Sequence, residues 1–142
     1  MSARKTIFDD QHPRVLIVED EPVLALLLEE CLIETGFEIA GVTARLEAAL
    51  AMIESGVCDA AILDGNLAGV DAGPAASALR AHGIPFVVLS GYSADQLSSA
   101  FSGALRLQKP CGMDRVVRAL RSILPALPPP PVIPSAGEQT PV

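Results

Sequence analysis

A doubly wound α/β fold around a five-stranded parallel sheet is predicted by three features of the 142-residue sequence. Short apolar runs of strand length alternate with segments of helix length. The unusual polar residues fall at the C-terminal ends of those runs, and Gly and Pro punctuate the borders between elements. Such alternation implies βαβ units and a parallel sheet covered on both faces.

The first strand is read over 14–20 (RVLIVED), followed by a helix over about 21–35 that Pro22 opens and Gly36 closes. The second strand covers 37–42 (FEIAGV) and its helix about 44–55. The third, 59–64 (DAAILD), precedes a helix over about 71–82 that ends at Gly83. The fourth, 84–90 (IPFVVLS), leads to a helix over about 94–102, where Ser93-Ala-Asp-Gln96 has the form of a capping box. The fifth, 104–108 (ALRLQ), carries Arg106 as a buried charge within a strand, and the last helix covers 112–124.

With 50% apolar and 19% charged residues, the chain has the composition of one globular domain. The folded unit is expected over 13–124, preceded by a flexible stretch over 1–12 and followed by a disordered tail over 125–142 that holds seven of the 12 prolines. No apolar run approaches the roughly 18 residues of a membrane span, and the N-terminus lacks the apolar centre of a signal peptide. A cytoplasmic protein is therefore expected, with no membrane partner. Cys31, Cys58 and Cys111 show no paired spacing and read as reduced thiols. A net charge of -7 disfavours nucleic acid as a partner.

In an open parallel sheet, ligands bind beyond the carboxyl ends of the strands. There the sequence places Glu19 and Asp20 after the first strand, Asp64 at the end of the third, Ser90-Gly91 at the end of the fourth and Lys109-Pro110 after the fifth. Carboxylates converging from two strands repel one another unless a cation sits among them, and an all-oxygen set suits a hard ion such as Mg²⁺. A Lys ammonium and a Ser hydroxyl suit phosphate oxygens, and a carboxylate can take up a phosphoryl group as an acyl phosphate. Asp64 is the best-placed nucleophile. Singly, each group has a structural explanation: a dipole-favoured acid at a helix start for Glu19-Asp20, an Asx turn for Asp64, and turns for Ser-Gly and Lys-Pro. Their joint occurrence in chain order favours a site.

These motifs resemble the receiver domain of two-component response regulators: VLIVEDEP the acid-pair strand, AILDGNLAG the phospho-acceptor strand, VVLSG the hydroxyl strand and LQKP the lysine. The resemblance covers about residues 13–124. It implies a flavodoxin-like (βα)5 fold in which Asp64 accepts a phosphoryl group from a sensor histidine kinase or histidine phosphotransfer protein. It also implies Mg²⁺ held by Asp20, Asp64 and the backbone carbonyl of Asn66, with Glu19 acting through metal-bound water. Phosphate would be bound by Gly65, Ser90, Gly91 and Lys109. Arg106 stands where the family usually has an aromatic switch residue. The DGNL and LSGYS stretches are similar to a subgroup, often stand-alone, with a Phe-Ala-Thr-Gly-Tyr-like motif, in which Tyr92 and its neighbours become the expected mobile element.

In the first helix, Leu24, Leu27, Leu28, Cys31 and Thr35 share the face expected to pack on the sheet, whereas Leu26 and Ile33 point away and form a candidate partner surface. In the last helix, Met113, Val116, Val117, Leu120 and Leu124 are expected inward, and Arg115, Arg118 and Arg121 outward. His12 and His82 have no ligand set around them. The expected function is that of a single-domain response regulator that signals through protein–protein contact and is not a turnover enzyme. Two alternatives are a receiver-like module that works without phosphate and a Mg²⁺-dependent phosphatase of the haloacid-dehalogenase type. The phosphatase would want an acid two residues beyond the nucleophile, where this chain has Asn66.

Overall fold

The computed structural model describes residues 12–91 and 99–124. Five parallel strands, β1 (Arg14–Val18), β2 (Glu38–Thr43), β3 (Ala60–Asp64), β4 (Phe86–Ser90) and β5 (Leu105–Gln108), form one sheet in the order β2-β1-β3-β4-β5. Its helices are α1 (Pro22–Glu34), α2 (Leu46–Ser55), α3 (Gly73–Ala81) and α4 (Met113–Ile123). From β1 the chain first builds outward to β2 and then returns to place β3 on the other side. The order therefore reverses between β1 and β3, and the crevice beyond their C-terminal ends is the expected ligand position.

Alternate residues of the central strands supply two cores. Leu16, Val18, Ala61, Leu63 and Val88 pack with Ala49 and Ile53 of α2 and Ala75, Ala76 and Leu79 of α3. Val15, Ile17, Ala60, Ile62 and Val87 face Leu28 and Leu32 of α1 and Val116 and Leu120 of α4. Every residue of β3 and β4 is buried, which matches their unbroken apolar composition.

Particular residues differ from the expectations. The buried row of α1 is Ala25, Leu28 and Leu32, while Leu27 is 47% exposed and Leu24, Cys31 and Thr35 are half-buried. The helix is apolar nearly all round, so period alone does not decide its inner face, and the small Ala25 permits the close approach. Arg106 is exposed rather than buried, because β5 lies at the sheet edge and only Leu107 of that strand turns fully into the core. In α4, Val116 and Leu120 are buried as expected and Ala119 joins them, whereas Met113, Val117 and Leu124 are half-buried. Arg115 and Arg118 face solvent, but Arg121 is half-buried. Its guanidinium lies 4.9 Å from the centroid of the Phe37 ring and donates to Thr35 O at 2.6 Å, clamping α4 to the end of α1.

Of the helix expected over 94–102, the described part is a 3₁₀ turn at Ser99–Phe101. The capping box at Ser93–Gln96 lies outside the described residues, as do residues 1–11 of the flexible stretch expected over 1–12 and the tail over 125–142. Arg80 of α3 donates to the carbonyls of Ala100 and Ser102, and its guanidinium lies 5.5 Å from the Phe86 ring centroid, so the 3₁₀ turn is tied to α3. A short antiparallel ladder of Asn66–Leu67 with Val70–Asp71 follows β3 directly and delays the start of α3 to Gly73.

Candidate functional site

Asp64 is the last residue of β3, whose two neighbours in the sheet and apolar sides on both faces hold it rigidly at the strand mouth. Glu19 and Asp20 follow β1 on one side, and Ser90 ends β4 on the other. Lys109 follows β5, its N–H donating to Ser90 O at 2.8 Å, which continues the parallel pairing past the strand end. A sequence of strand ends thus becomes a cluster. Glu19, Asp64 and Ser90 are buried, and Asp20 is half-buried.

Oxygens of Glu19, Asp20 and Asp64 lie within 4.8 Å of one another. Lys109 Nζ approaches Asp64 Oδ2 at 3.0 Å and Glu19 Oε2 at 3.3 Å. Asn66 N–H donates to Asp64 Oδ1 at 3.1 Å, and Glu21 N–H to Glu19 Oε2 at 3.0 Å. Burial pushes Glu19 up from 4.5 to about 7, against the hydrogen bond from Glu21 and with the repulsion of Asp64. Burial likewise raises Asp64, opposed by its bonds from Asn66 and Lys109. For Lys109, burial works against the ammonium, but Asp64 and Glu19 together outweigh it and the group is raised.

One ammonium faces three carboxylates, so the cluster has a deficit of positive charge. Glu19 Oε1 is buried and has no hydrogen-bond partner, although Lys109 Nζ is 3.3 Å away. A hard divalent cation fits this all-oxygen set, since it would neutralise the acids and give Glu19 Oε1 a charge to face, directly or through water.

Metal-free protein should therefore lose stability as pH rises. Glu19 holds a proton in the folded state that the unfolded state releases near 4.5, so this contribution is complete below 4.5 and gone above about 7. We expect the melting temperature to fall between about pH 5 and about pH 8, and Mg²⁺, which needs the deprotonated acids, to reverse the trend. Glu19→Gln isolates the effect; a variant with the wild-type slope would overturn this assignment.

The family model for the response regulator receiver domain matches residues 15–121. The chain belongs to that family. Transcriptional regulatory protein TcrA of Mycobacterium tuberculosis is a curated relative, 33% identical over 115 residues that make up 78% of this chain and 45% of TcrA. The receiver chain thus spans about half the length of that relative. The solution structure of SdrG from Sphingomonas melonis Fr1 is 43% identical with a TM-score of 0.70, covering 80% of this chain and 98% of SdrG. The receiver domain of the sensor histidine kinase PA1611 from Pseudomonas aeruginosa PAO1, crystallised with a magnesium ion coordinated in its active site cleft, is 25% identical. Its TM-score is 0.69, with 80% of this chain and 98% of that one covered. The fold is accordingly the flavodoxin-like receiver fold.

Within this receiver domain, the structure brings together Glu19, Asp20, Asp64 and Lys109, with Ser90 buried beside them at the end of β4. Gly91 is exposed, and a Cβ there would meet no atom within 4 Å among the described residues. Gly65 differs from expectation: its N–H donates to Leu89 O at 3.0 Å and is spent on strand pairing. The N–H that reaches Asp64 is that of Asn66, a donor the sequence reasoning missed because side-chain chemistry does not reveal backbone direction. The Asn66 side chain, two residues beyond Asp64, accepts the Gly69 N–H at 2.7 Å. Tyr92 lies outside the described residues, and Arg106 is exposed on β5 at the edge of the sheet.

Proposed function

We propose that Asp64 accepts a phosphoryl group from the phosphohistidine of a sensor kinase or a histidine phosphotransfer protein, and that the phosphorylated domain signals through protein–protein contact. The observation that carries this reading is the convergence on one carboxylate of Lys109 at 3.0 Å and of the β1 acids within 4.8 Å. A carboxylate oxygen attacks phosphorus in line, the P–O bond forms as the P–N bond breaks, and the donor imidazole leaves.

The residues that would hold Mg²⁺ are Asp20, Asp64 and the Asn66 backbone carbonyl, with Glu19 behind them. The bound ion would supply charge neutralisation to the phosphoryl oxygens. The chain's own groups orient and stabilise: Lys109 offers its ammonium to a phosphoryl oxygen, and the Ser90 hydroxyl and Gly91 N–H take others. The magnesium in the PA1611 receiver supports this assignment. Intact mass after treatment with acetyl phosphate and Mg²⁺ tests it. A gain of one phosphoryl group, abolished by chelation, is expected; an unchanged mass overturns the reading.

The phosphatase alternative wants a proton-transferring acid two residues past the nucleophile. Asn66 cannot serve as one, and its amide oxygen is engaged by Gly69. The chemistry of this site therefore favours trapping over turnover.

For the donor, α1 offers Leu26 and Ile33, 53% and 56% exposed, on a helix that also leaves Val23 and Leu27 in solvent. A 560 Å³ cleft lined by Leu24, Leu27, Cys111 and Met113 runs from this helix to Lys109. Leu26→Glu should slow transfer from the cognate phosphodonor by about tenfold or more while sparing labelling by acetyl phosphate. Equal loss in both assays would exclude a docking role for Leu26.

A further inference from the structure

The short ladder after β3 has a two-residue loop, Ala68-Gly69, with positive φ at both positions, 55° and 92°. That is the backbone of the tight hairpin turn whose twist matches the flanking strands, and it favours Asn-Gly or Gly-Gly over Ala. Ala68 is the one non-glycine residue with positive φ among the described residues. Something must hold the turn against that preference. The Asn66 side chain does so across the loop, its Oδ1 accepting the Gly69 N–H at 2.7 Å.

The register of the ladder determines where the Asn66 backbone points. Leu67 and Val70 flank the two-residue loop and form the hydrogen-bonded pair; one step outward, Asn66 opposes Asp71 in a non-hydrogen-bonded pair; one further step out, Ala72 N–H donates to Gly65 O at 3.3 Å. In an extended strand the N–H and C=O of one residue leave on the same side. Both groups of Asn66 therefore face outward from the ladder, and the N–H identifies that side as the acid cluster, because it meets Asp64 Oδ1 at 3.1 Å. Leu67 is buried in the same core cluster as Ala72 and Phe101, which anchors the strand to the domain.

We propose that Asn66 is a positioning residue acting through its side chain: by locking the Ala68-Gly69 turn it holds the ladder in register, and so aims its own backbone carbonyl at the metal-binding acids. The proposal rests on the Mg²⁺-dependent reading of the site. It assigns to the side chain a role separate from any contact with the phosphoryl group or its attacking water. It also accounts for a strained alanine in the turn, since the lock supplies what the loop residue lacks.

The test uses Asn66→Ala, Ala68→Gly and the double variant in the full chain, with two readouts. Amide hydrogen exchange at Gly69 and Val70 in metal-free protein reports the turn, and calorimetric titration with Mg²⁺ alone reports carbonyl placement. Asn66→Ala should accelerate exchange at both amides and weaken Mg²⁺ binding by about tenfold, the scale for losing a group that orients a ligand. Ala68→Gly in that background removes the turn strain and should restore most of the Mg²⁺ affinity without restoring the side chain. Faster exchange with unchanged affinity overturns the proposal, as does weaker affinity that Ala68→Gly fails to rescue. Wild-type protein that binds no Mg²⁺ overturns the metal reading itself, whereas wild-type binding with Asn66→Ala indistinguishable from it overturns this proposal alone.

Discussion

Asp64→Asn should take up no phosphoryl group from acetyl phosphate and Mg²⁺, yet in metal-free form it should unfold at or above the wild-type temperature. The first outcome follows from the loss of the nucleophilic oxygen, because an amide does not form the acyl phosphate. The second follows from the site's electrostatics. Asp64 is buried among like charges and raised by that burial, so the neutral isostere removes a desolvation cost and the repulsion of Glu19. Against this stands the lost ion pair with Lys109, whose ammonium keeps Glu19 as a partner. The two effects oppose one another, and we expect a net change within about 1 kcal/mol of neutral, on the stabilising side. Mass spectrometry and thermal unfolding read the two halves separately. A labelled variant would place the acceptor elsewhere, and a destabilisation beyond about 2 kcal/mol would show that Asp64 serves the fold rather than the reaction.

The site was legible in the sequence because the chemistry-bearing residues sit at strand ends, and strand ends are what apolar runs mark most clearly. Asp64 closes a run in which every residue is buried, and once alternation implies a parallel sheet, Glu19, Asp20, Ser90 and Lys109 have only one edge on which to meet. What remained illegible was backbone direction. Gly65 and Asn66 are adjacent and both carry an N–H, yet one completes the sheet and the other reaches the Asp64 carboxylate. The difference depends on a ladder two residues long, which has no hydrophobic period to betray it, and on a turn whose Ala-Gly sequence is an uncommon choice for that geometry.

Side-chain direction on the helices was legible where polar and apolar faces contrast, and poorly so elsewhere. In α4, arginines interleave with aliphatics, and Val116 and Leu120 lie where the period puts them. In α1 nearly every position is apolar, so Leu27 and Ala25 exchange the roles that hydrophobicity alone would give them. The apolar neighbours of Arg106 in sequence suggest a buried strand; edge position, a property of the whole sheet, places it in solvent. Arg121 departs for another reason: a guanidinium can lie over the Phe37 ring and reach Thr35 O from a position that a helical wheel marks as outward.

Lys109→Met separates the two tasks that the proposed function gives the ammonium and should move them in opposite directions. Methionine retains most of the apolar stem but removes the charge that sits 3.0 Å from Asp64 and 3.3 Å from Glu19. In phosphoryl transfer the charge that develops on the equatorial oxygens needs a preorganised cation, and losing one such donor costs about 10²-fold or more in rate. Uptake from acetyl phosphate should fall by that factor. Mg²⁺ binding should instead tighten, by about threefold to tenfold, because the ammonium no longer competes for the same carboxylate oxygens or repels the incoming ion. Without metal, the variant leaves buried acids with no counter-charge and should lose about 1–3 kcal/mol of stability, which saturating Mg²⁺ restores. Rapid-quench labelling, calorimetric titration and thermal unfolding check the three effects. If Mg²⁺ affinity and uptake fall together, Lys109 organises the acids for the ion instead of competing with it, and its direct action on the phosphoryl group loses its support.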